Sequence, residues 1–596
     1  MTEKVVVLGG GVAGMTAAHE LQERGFEVVV YERNRELGGK ARSFFVPERV
    51  ETVGALPAEH GFRFLPGFYK HLTETLSRIP YPKLGDANDR VIQNLVNVER
   101  AAYAQKQKPF FKFPTDLPST LGGWKNLITE IFSNPGLGVP FNEAAFAAFK
   151  LLDAMTMCAE RREQELDGQS WWDYMRAEDM SPEYRSVVVN GLTQNFVAMD
   201  AKESSTKSVI NILARLLSDL MPGGFSMDRI LNGPTSEVWI DPWERYLAEE
   251  RQGEVPVRFE KNNAVDQVLF DGNANRVTAV RLRNGGEEKA DYYVAAVPIE
   301  AFVDILDKSD PAIKEYAPSL KALDLDVLQV RWMSGIMYYL KHDDTMDTGH
   351  VVYLDSEWAL TSISQNQFWR KKMNEYGSGS VDGILSVIVS DWDATSSEIG
   401  KTAQETDNAK ELADGALAQI RRHRITEASR EGDNIVGFYV DPALQFVGES
   451  VHRRRIRGLM PAHEFARNLQ SVAEKIGLNL EPLFINTINS WQARPRARTE
   501  ITNLFLAADY VRTETDLATM EGANEAARRA VNGILDHMNS RARRCRLFSF
   551  DEPSIFAPMR CFDKWRFDRG LPRLGTFQGL GFVAWKLGAS LARLRR

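Results

Sequence analysis

A strand that runs directly into three spaced glycines leaves a chain few folds to choose from. Lys4–Leu8 reads KVVVL, a β-branched run suited to a buried strand. Gly9, Gly11 and Gly14 follow in G-x-G-x-x-G order, then the amphipathic stretch MTAAHELQERG, which closes on Gly25. Phe26–Tyr31 reads as a second strand, and Glu32 ends it. Glycines so placed permit a tight turn and let backbone approach a pyrophosphate. The helix N-terminus offers free N–H groups and the positive end of a dipole. An acidic residue about twenty positions on can accept hydrogen bonds from a ribose. The whole unit, rather than the glycine triplet alone, points to a dinucleotide-binding βαβ fold.

After a short turn comes Leu37-Gly38-Gly39-Lys40-Ala41-Arg42-Ser43. Paired glycines let the backbone pass a bulky cofactor, and Lys40 and Arg42 can screen its phosphates. The stretch from Lys4 to Ser43 resembles the FAD-binding start of the flavin amine oxidase and phytoene desaturase superfamily, in which a strand–GxGxxG–helix–strand–E unit precedes a GG-R/K element. The resemblance implies FAD as cofactor. It puts Gly9, Gly11, Ala13, Gly14, Glu32 and Arg33 against it, followed by Gly39, Lys40 and Arg42.

Two later segments carry the same resemblance. Gly61-Phe62-Arg63-Phe64-Leu65-Pro66-Gly67-Phe68-Tyr69 looks like the G-L-H-I-F-F-G-x-Y segment of plant-type phytoene desaturases. That likeness implies that Arg63 and Phe64 face FAD and that Tyr69 meets substrate. Arg63 replaces the family's His and is the one catalytic candidate, on position alone. Leu504–Tyr510, a strand ending at Asp509, and Asp516-Leu517-Ala518-Thr519-Met520-Glu521-Gly522-Ala523 are similar to the L-A-G-D-Y and A-S/T-M-E-G-A motifs of carotene desaturases. Ala508 stands where the family has Gly. By resemblance Asp509 binds the ribityl chain, the Met520 backbone meets the flavin ring, Ala518 borders substrate, and the Val265 backbone touches the adenine.

Composition narrows the rest. The 596-residue chain is long enough for two or more domains. Hydrophobic content of 43%, with 26% charged residues, is ordinary for a globular protein. A net charge of −8 gives no reason to expect nucleic acid as partner. The three cysteines, Cys158, Cys545 and Cys561, form neither a metal spacing nor a disulfide framework, so a reducing compartment and no metal are expected. The first strand begins almost at the N-terminus, leaving no signal peptide, and no run of about eighteen apolar residues predicts a spanning helix. The expected location is cytoplasmic.

The expected fold is α/β. A discontinuous Rossmann-type FAD-binding domain occupies 1–85, 251–300 and 486–540. An interleaved substrate domain of β-sheet plus helical lid occupies 86–250 and 301–485. Helices are expected over Phe141–Arg162, Ser170–Glu178, Pro182–Thr193, Thr206–Leu217, Thr402–Arg424 and Pro461–Lys475, with Ser181 and Ser205 as N-caps. Pro256–Phe259, Asn263–Phe270 and Arg276–Arg283 read as a β-meander. The KQKPFFKFP stretch reads as loop and strand, and Arg453-Arg454-Arg455 as a solvated basic run.

The tail, 541–596, falls outside the family pattern. It holds thirteen Lys or Arg against four Asp or Glu, a net +9 that leaves −17 for the rest of the chain. Phe556–Leu571 interleaves aromatic and basic residues, and Gly579–Arg596 has the spacing of a basic amphipathic helix. Two readings stand open: docking on an anionic membrane surface, peripherally on its inner face, or packing on the protein or in an oligomer. The leading expectation is an FAD oxidoreductase that desaturates, or otherwise exchanges hydride with, a lipophilic isoprenoid or carotenoid-like substrate. Its rivals are an isoprenoid isomerase or dehydroxylase, since hydroxysqualene dehydroxylases are similar in the same motifs, a flavin amine oxidase, and a non-catalytic flavoprotein scaffold.

Overall fold

The computed structural model of the chain describes residues 2–575, less 47–54, 83–84, 87, 99, 107–110, 115–137, 192, 194–198, 220–227, 252, 346, 424–433, 447–477 and 550–551. Arg453–Arg455, the helix expected over Pro461–Lys475 and the amphipathic stretch Gly579–Arg596 lie outside the described residues, as does the centre of KQKPFFKFP.

The chain opens β1 (Lys4–Leu8), α1 (Val12–Gln22), β2 (Glu27–Tyr31), as its apolar runs and glycine turn require. Helix α2 (Lys70–Arg78) and strands β3 (Arg100–Ala104) and β4 (Phe111–Pro114) follow. A helical layer comes next: α3 (Phe141–Met155), α4 (Ala159–Leu166) and α5 (Thr206–Asp219). After α6 (Asp241–Ala248) come β5 (Arg258–Glu260), β6 (Val265–Asp271), β7 (Arg276–Leu282), β8 (Tyr292–Ala295) and α7 (Ile299–Lys308). A second run of strands is β9 (Ser334–Leu340), β10 (Val351–Tyr353), β11 (Thr361–Ser364) and β12 (Gly383–Val389), then α8 (Ala409–Arg422) and β13 (Ile435–Val440). Strand β14 (Leu504–Leu506), α9 (Met520–His537) and α10 (Ala557–Phe567) complete it.

Two sheets organise these elements. The first is parallel, in the order β14-β8-β1-β2-β5, and draws its strands from three separated parts of the chain. Parallel strands need both faces covered, and the continuous valine runs of β1 and β2 meet that need, being almost wholly buried. The second sheet, β13-β9-β12-β11-β10-β3-β4, is antiparallel except where β10 lies beside β3. It makes its own core with α8, and the helical layer makes another.

Several expectations need correction. The β-meander loses its first member: β5 leaves β6 and pairs in parallel with β2, extending the nucleotide sheet, while β6 and β7 form an antiparallel pair. The expected helix Phe141–Arg162 is two helices. Cys158 takes extended backbone and donates its N–H to Asp563 of α10 at 2.9 Å, a contact that holds the break open. The helix expected from Thr402 begins at Ala409, because Asn408 caps it by accepting from the Glu411 N–H. Of the two proposed caps, Ser181 accepts from the Tyr184 N–H, whereas the Ser205 hydroxyl donates to Asp167. The Ser170–Glu178 helix shrinks to Trp171–Tyr174 with a 3-10 turn at Ala177–Asp179, and Pro182–Thr193 becomes Pro182–Tyr184 running into a π-helical turn at Arg185–Asn190. Trp239, Trp243, Phe302 and Leu320 are buried in the same core as β1 and α1.

Candidate functional site: a cofactor cradle opening into an apolar cavity

The glycine turn between β1 and α1 is built by close approach. A Cβ on Gly14 would lie 1.9 Å from the Gly9 carbonyl oxygen, so the helix can seat against the turn only without a side chain there. Gly11 is the N-cap of α1 and supplies no capping side chain, and the first turn holds no acidic residue. The N–H groups at this end, with Val12 and Ala13, face a cavity. Gly39, at φ +56°, crosses close in front of Gly11, where a Cβ on Gly39 would stand 3.0 Å from the Gly11 Cα. The Gly38 N–H donates to the Gly10 carbonyl at 2.8 Å and fixes this crossing.

Glu32 closes the cradle. Its carboxylate accepts from the N–H groups of Gly10 and Asn34, both at 2.8 Å, and burial pushes its pKa up. Each carboxylate oxygen retains a further lone pair for a ribose hydroxyl.

Beyond Glu32 lies an ionic cluster that the sequence did not reveal. Arg33 and Arg42 both donate to Glu481 at 3.1 Å. The His60 ring, itself in the cavity wall, lies between two carboxylates: Nδ1 is 2.7 Å from Asp441 and Nε2 2.9 Å from Glu481. Carboxylates beside both nitrogens favour the charged form of the ring. Burial works against that charge, but Asp441 and Glu481 outweigh it and raise the His60 pKa. Burial would likewise raise Glu481, yet His60, Arg42 and Arg33 hold it well below the carboxylate range.

The cluster makes stability depend on pH. The contribution of His60 is complete below its ordinary value of 6.5 and fades as pH rises through the raised folded value. That of Glu481 is present above 4.5 and is lost as pH falls through its depressed value. Both are complete between 4.5 and 6.5. Replacing His60 with Gln is expected to flatten the alkaline fall in thermal midpoint above pH 6.5, which a melting series across pH will test.

Arg42 and Arg63 take roles other than those expected. Arg42 turns to Glu481 and to the Gly39 carbonyl and does not line the cavity, so it braces the Gly39 crossing in place of screening phosphates. Arg63 does line the cavity, but its guanidinium donates to the backbone carbonyls of Lys40, Ala41, Arg42 and Gly61 at 2.9–3.3 Å. A guanidinium so engaged, and unable to release a proton, clasps the Gly39 loop to the Gly61 segment and is no acid or base. Lys40 reaches Glu300 at 3.5 Å and the Pro482 carbonyl.

The far end of the cavity is set by the N-terminus of α9. Thr519 caps it, accepting from the Gly522 N–H. Glu521 turns away, accepting from the backbone N–H groups of His71 and Leu72 and from the His71 ring. The N-terminus therefore stays open toward the cavity, which Ala518, Thr519 and Met520 line. Asp509 follows β14 and lines it too.

A buried polar network that the sequence did not reveal holds this end. The Arg494 guanidinium donates to the carbonyls of Asp509, Tyr510 and Val511 and to Asp516 Oδ1 at 2.9 Å. Asp516, in the left-handed region at φ +49°, also accepts from Lys207 at 2.6 Å, Ser208, Asn211 and Asn486. These donors come from α5 and from the segment around Asn486, far away in sequence, so local spacing carries no trace of them.

Every expected cofactor and substrate residue except Gly14 and Arg42 lines one cavity of ≈ 430 Å³: Gly9, Gly11, Ala13, Glu32, Arg33, Gly39, Lys40, Arg63, Phe64, Val265, Asp509, Met520, Tyr69 and Ala518. Its remaining wall is largely apolar, with Met199, Ile212 and Leu216 from the helical layer, Trp332 and Met333 just before β9, and Ile388 from β12. Glu300 Oε2 is buried in this wall without a hydrogen-bond partner among the described residues. An orphaned carboxylate oxygen calls for a donor, and the hydroxyls of FAD's sugar chains are donors. The open α1 N-terminus, the gap between two glycine segments and these carboxylates together fit FAD. Replacing Asp509 with Ala is expected to weaken FAD about 10- to 100-fold, the worth of one charged hydrogen bond. Glu514→Ala, at an exposed side chain outside the cavity wall, is expected to leave FAD binding unchanged in the same equilibrium titration.

Residues 12–399 match the family of flavin containing amine oxidoreductases. The 15-cis-phytoene desaturase of Synechococcus elongatus is 24% identical over 304 residues, covering 50% of this chain and 58% of that protein. The chain thus spans a little over half the length of that relative. The zeta-carotene desaturase of Arabidopsis thaliana is 21% identical over 549 residues, 89% of this chain and 85% of that one. A solved putrescine oxidase bound to putrescine superposes with a TM-score of 0.55 at 14% identity, over 90% of this chain and 99% of that one, a likeness of fold. With the family's segment running from α1 to just beyond β12, and the cavity carrying the cradle for its FAD, the chain belongs to the flavin-containing amine oxidoreductase family.

Proposed function

We propose that the protein is an FAD-dependent oxidoreductase that removes hydride from, or returns it to, a lipophilic isoprenoid-like substrate, with desaturation of a C–C bond as the leading reaction. The observation that carries this reading is the cavity itself: the residues of the nucleotide cradle share one cavity with Met199, Ile212, Leu216, Trp332 and Met333. A hydrocarbon gains by leaving water for such a wall, at about 25 cal/mol per Å² of apolar surface buried. The phytoene and zeta-carotene desaturases among its relatives support the same substrate class.

When bound, FAD supplies the hydride acceptor or donor. The chain's part is to bind, orient and keep dry. Glu32 and Asp509 offer carboxylates to hydroxyl donors at separate points of the cavity wall. The α9 N-terminus directs its N–H groups and positive dipole end into the cavity, where they stabilise negative charge. Tyr69 is buried beside Thr519, and burial pushes its phenol pKa up, so it stays protonated across the working pH range. The apolar wall excludes water from the reacting carbon.

The test is anaerobic mixing of the FAD-loaded protein with three sets of compounds: isoprenoid hydrocarbons, isoprenoid alcohols and primary amines. Bleaching of the flavin's visible band by the hydrocarbons, with the alcohols and amines inert, is expected. Bleaching by amines alone would overturn the reading in favour of an amine oxidase, and conversion of an alcohol with no net bleaching would favour a dehydroxylase or isomerase.

A further inference from the structure

Helix α10 is fixed to the protein by one face only. Asp563 accepts from Arg161 Nε and from the Cys158 N–H, both at 2.9 Å, and the Arg161 guanidinium lies over the Phe567 ring. Arg560 pairs with Glu552 at 2.8 Å, and Lys564 reaches Glu160 at 3.3 Å. These contacts seat the helix on α4, and they settle for this segment that it packs on the chain.

The opposite face is apolar and exposed. Met559, Phe562 and Trp565 lie along one side of the helix, with Ile555 in the turn just before it, and each is 45–53% exposed. Phe562 and Trp565 stack at 5.9 Å with their planes 9° apart, a rigid aromatic plate. Arg569 lies over the Trp565 ring at 4.3 Å and Arg566 over the Phe562 ring at 6.0 Å, and neither forms a salt bridge among the described residues. Leu571 and Leu574 continue the exposed apolar surface. The residues that follow, 576–596, add Lys586, Arg593, Arg595 and Arg596 and no acidic residue.

We infer that the Ile555–Met559–Phe562–Trp565 face of α10 docks on an anionic lipid bilayer, its aromatic plate entering the headgroup boundary and its arginines meeting lipid phosphates. Trp and Phe sit at the level where a bilayer changes from polar to apolar, and Arg laid across an aromatic face keeps its charge at that level while its stem is covered. The −17 carried by the rest of the chain would be repelled by such a surface, so the basic tail decides which side approaches it. The position is apt. Helix α4 beneath the plate packs against α5, which lends Ile212 and Leu216 to the cavity wall, so the docking face and the cavity share a helical layer. The inference stands apart from the substrate reading, because vesicle binding needs no turnover.

The test is flotation of the full-length, FAD-loaded protein with vesicles of phosphatidylcholine alone or with one third phosphatidylglycerol, at low and high salt. The wild type is expected to float with the anionic vesicles and to be released by salt. A Phe562→Glu, Trp565→Glu variant is expected to lose at least about 90% of the bound fraction, while its melting temperature and bound flavin stay unchanged because both side chains are exposed. Equal binding by wild type and variant would overturn the inference, as would wild type that fails to float. A variant that converts a dimer to a monomer without changing flotation would assign the face to a second copy of the chain and overturn it too.

Discussion

Replacing Asp516 with Ala is expected to cost about 3–5 kcal/mol of stability, the penalty for stripping one partner from a buried ion pair. Asp516 is buried and accepts from Lys207 and Arg494, which are buried as well. Without it, two buried cations lose the carboxylate that stands between them. Burial already lowers the Lys207 pKa, and removing Asp516, which holds it up, should lower it further. Arg494 also holds the carbonyls of Asp509, Tyr510 and Val511, so the loop that presents Asp509 should loosen and FAD should dissociate faster. Asp516→Asn keeps one acceptor oxygen and should fall between the wild type and Asp516→Ala. Thermal melts combined with the rate of flavin release after dilution will check both effects. An Asp516→Ala protein with wild-type melting and flavin release would show that the network does not position the cofactor loop.

Gly11→Val is expected to separate cofactor binding from folding. Gly11 has φ −73° and ψ −175°, which any residue adopts, and a Cβ there meets only the Gly39 Cα at 3.7 Å and the Gly39 N at 4.0 Å. The fold can therefore accept the side chain. The added methyls, however, fill the gap between the two glycine segments through which the α1 N–H groups reach the cavity. Losing two charge-assisted hydrogen bonds at about 1.5–3 kcal/mol each weakens FAD by at least about 100-fold. Circular dichroism and melting of the cofactor-free protein should match the wild type, and a titration with FAD should not saturate. Gly14→Val differs: its Cβ collides with the Gly9 carbonyl at 1.9 Å, so it is expected to destabilise the fold as well.

The contrast between these glycines shows what the sequence made legible. The cradle could be read because a pyrophosphate on a helix N-terminus imposes backbone geometry within a few residues, and Gly9, Gly11, Gly14 and Glu32 are its local imprint. The segment ending at Asp509 and the α9 start at Met520 were legible through their likeness to the family's C-terminal motifs. Side chains whose partners come from far along the chain were not. His60 stands inside a stretch read for its aromatics, but Asp441 and Glu481 give it its charge. Arg42 sits in a motif suited to phosphates, yet Glu481 captures it. Arg63 was aligned with a family His, and four carbonyls fix it as a clasp. Strand β5 looked like the start of a meander because its alternation is the same whichever neighbour it pairs with, and β2 decides the matter. The break between α3 and α4 has no glycine or proline to announce it, only an aspartate some four hundred residues later.

The account rests on one cavity that holds a flavin nucleotide between the Gly11 turn and the α9 N-terminus. The most direct measurement is the flavin content of the purified full-length chain, read by releasing the cofactor on denaturation and quantifying it against protein. One FAD per chain is the predicted result, whether retained through purification or taken up on titration. A folded, monodisperse protein that neither retains FAD nor binds it when titrated would contradict the account.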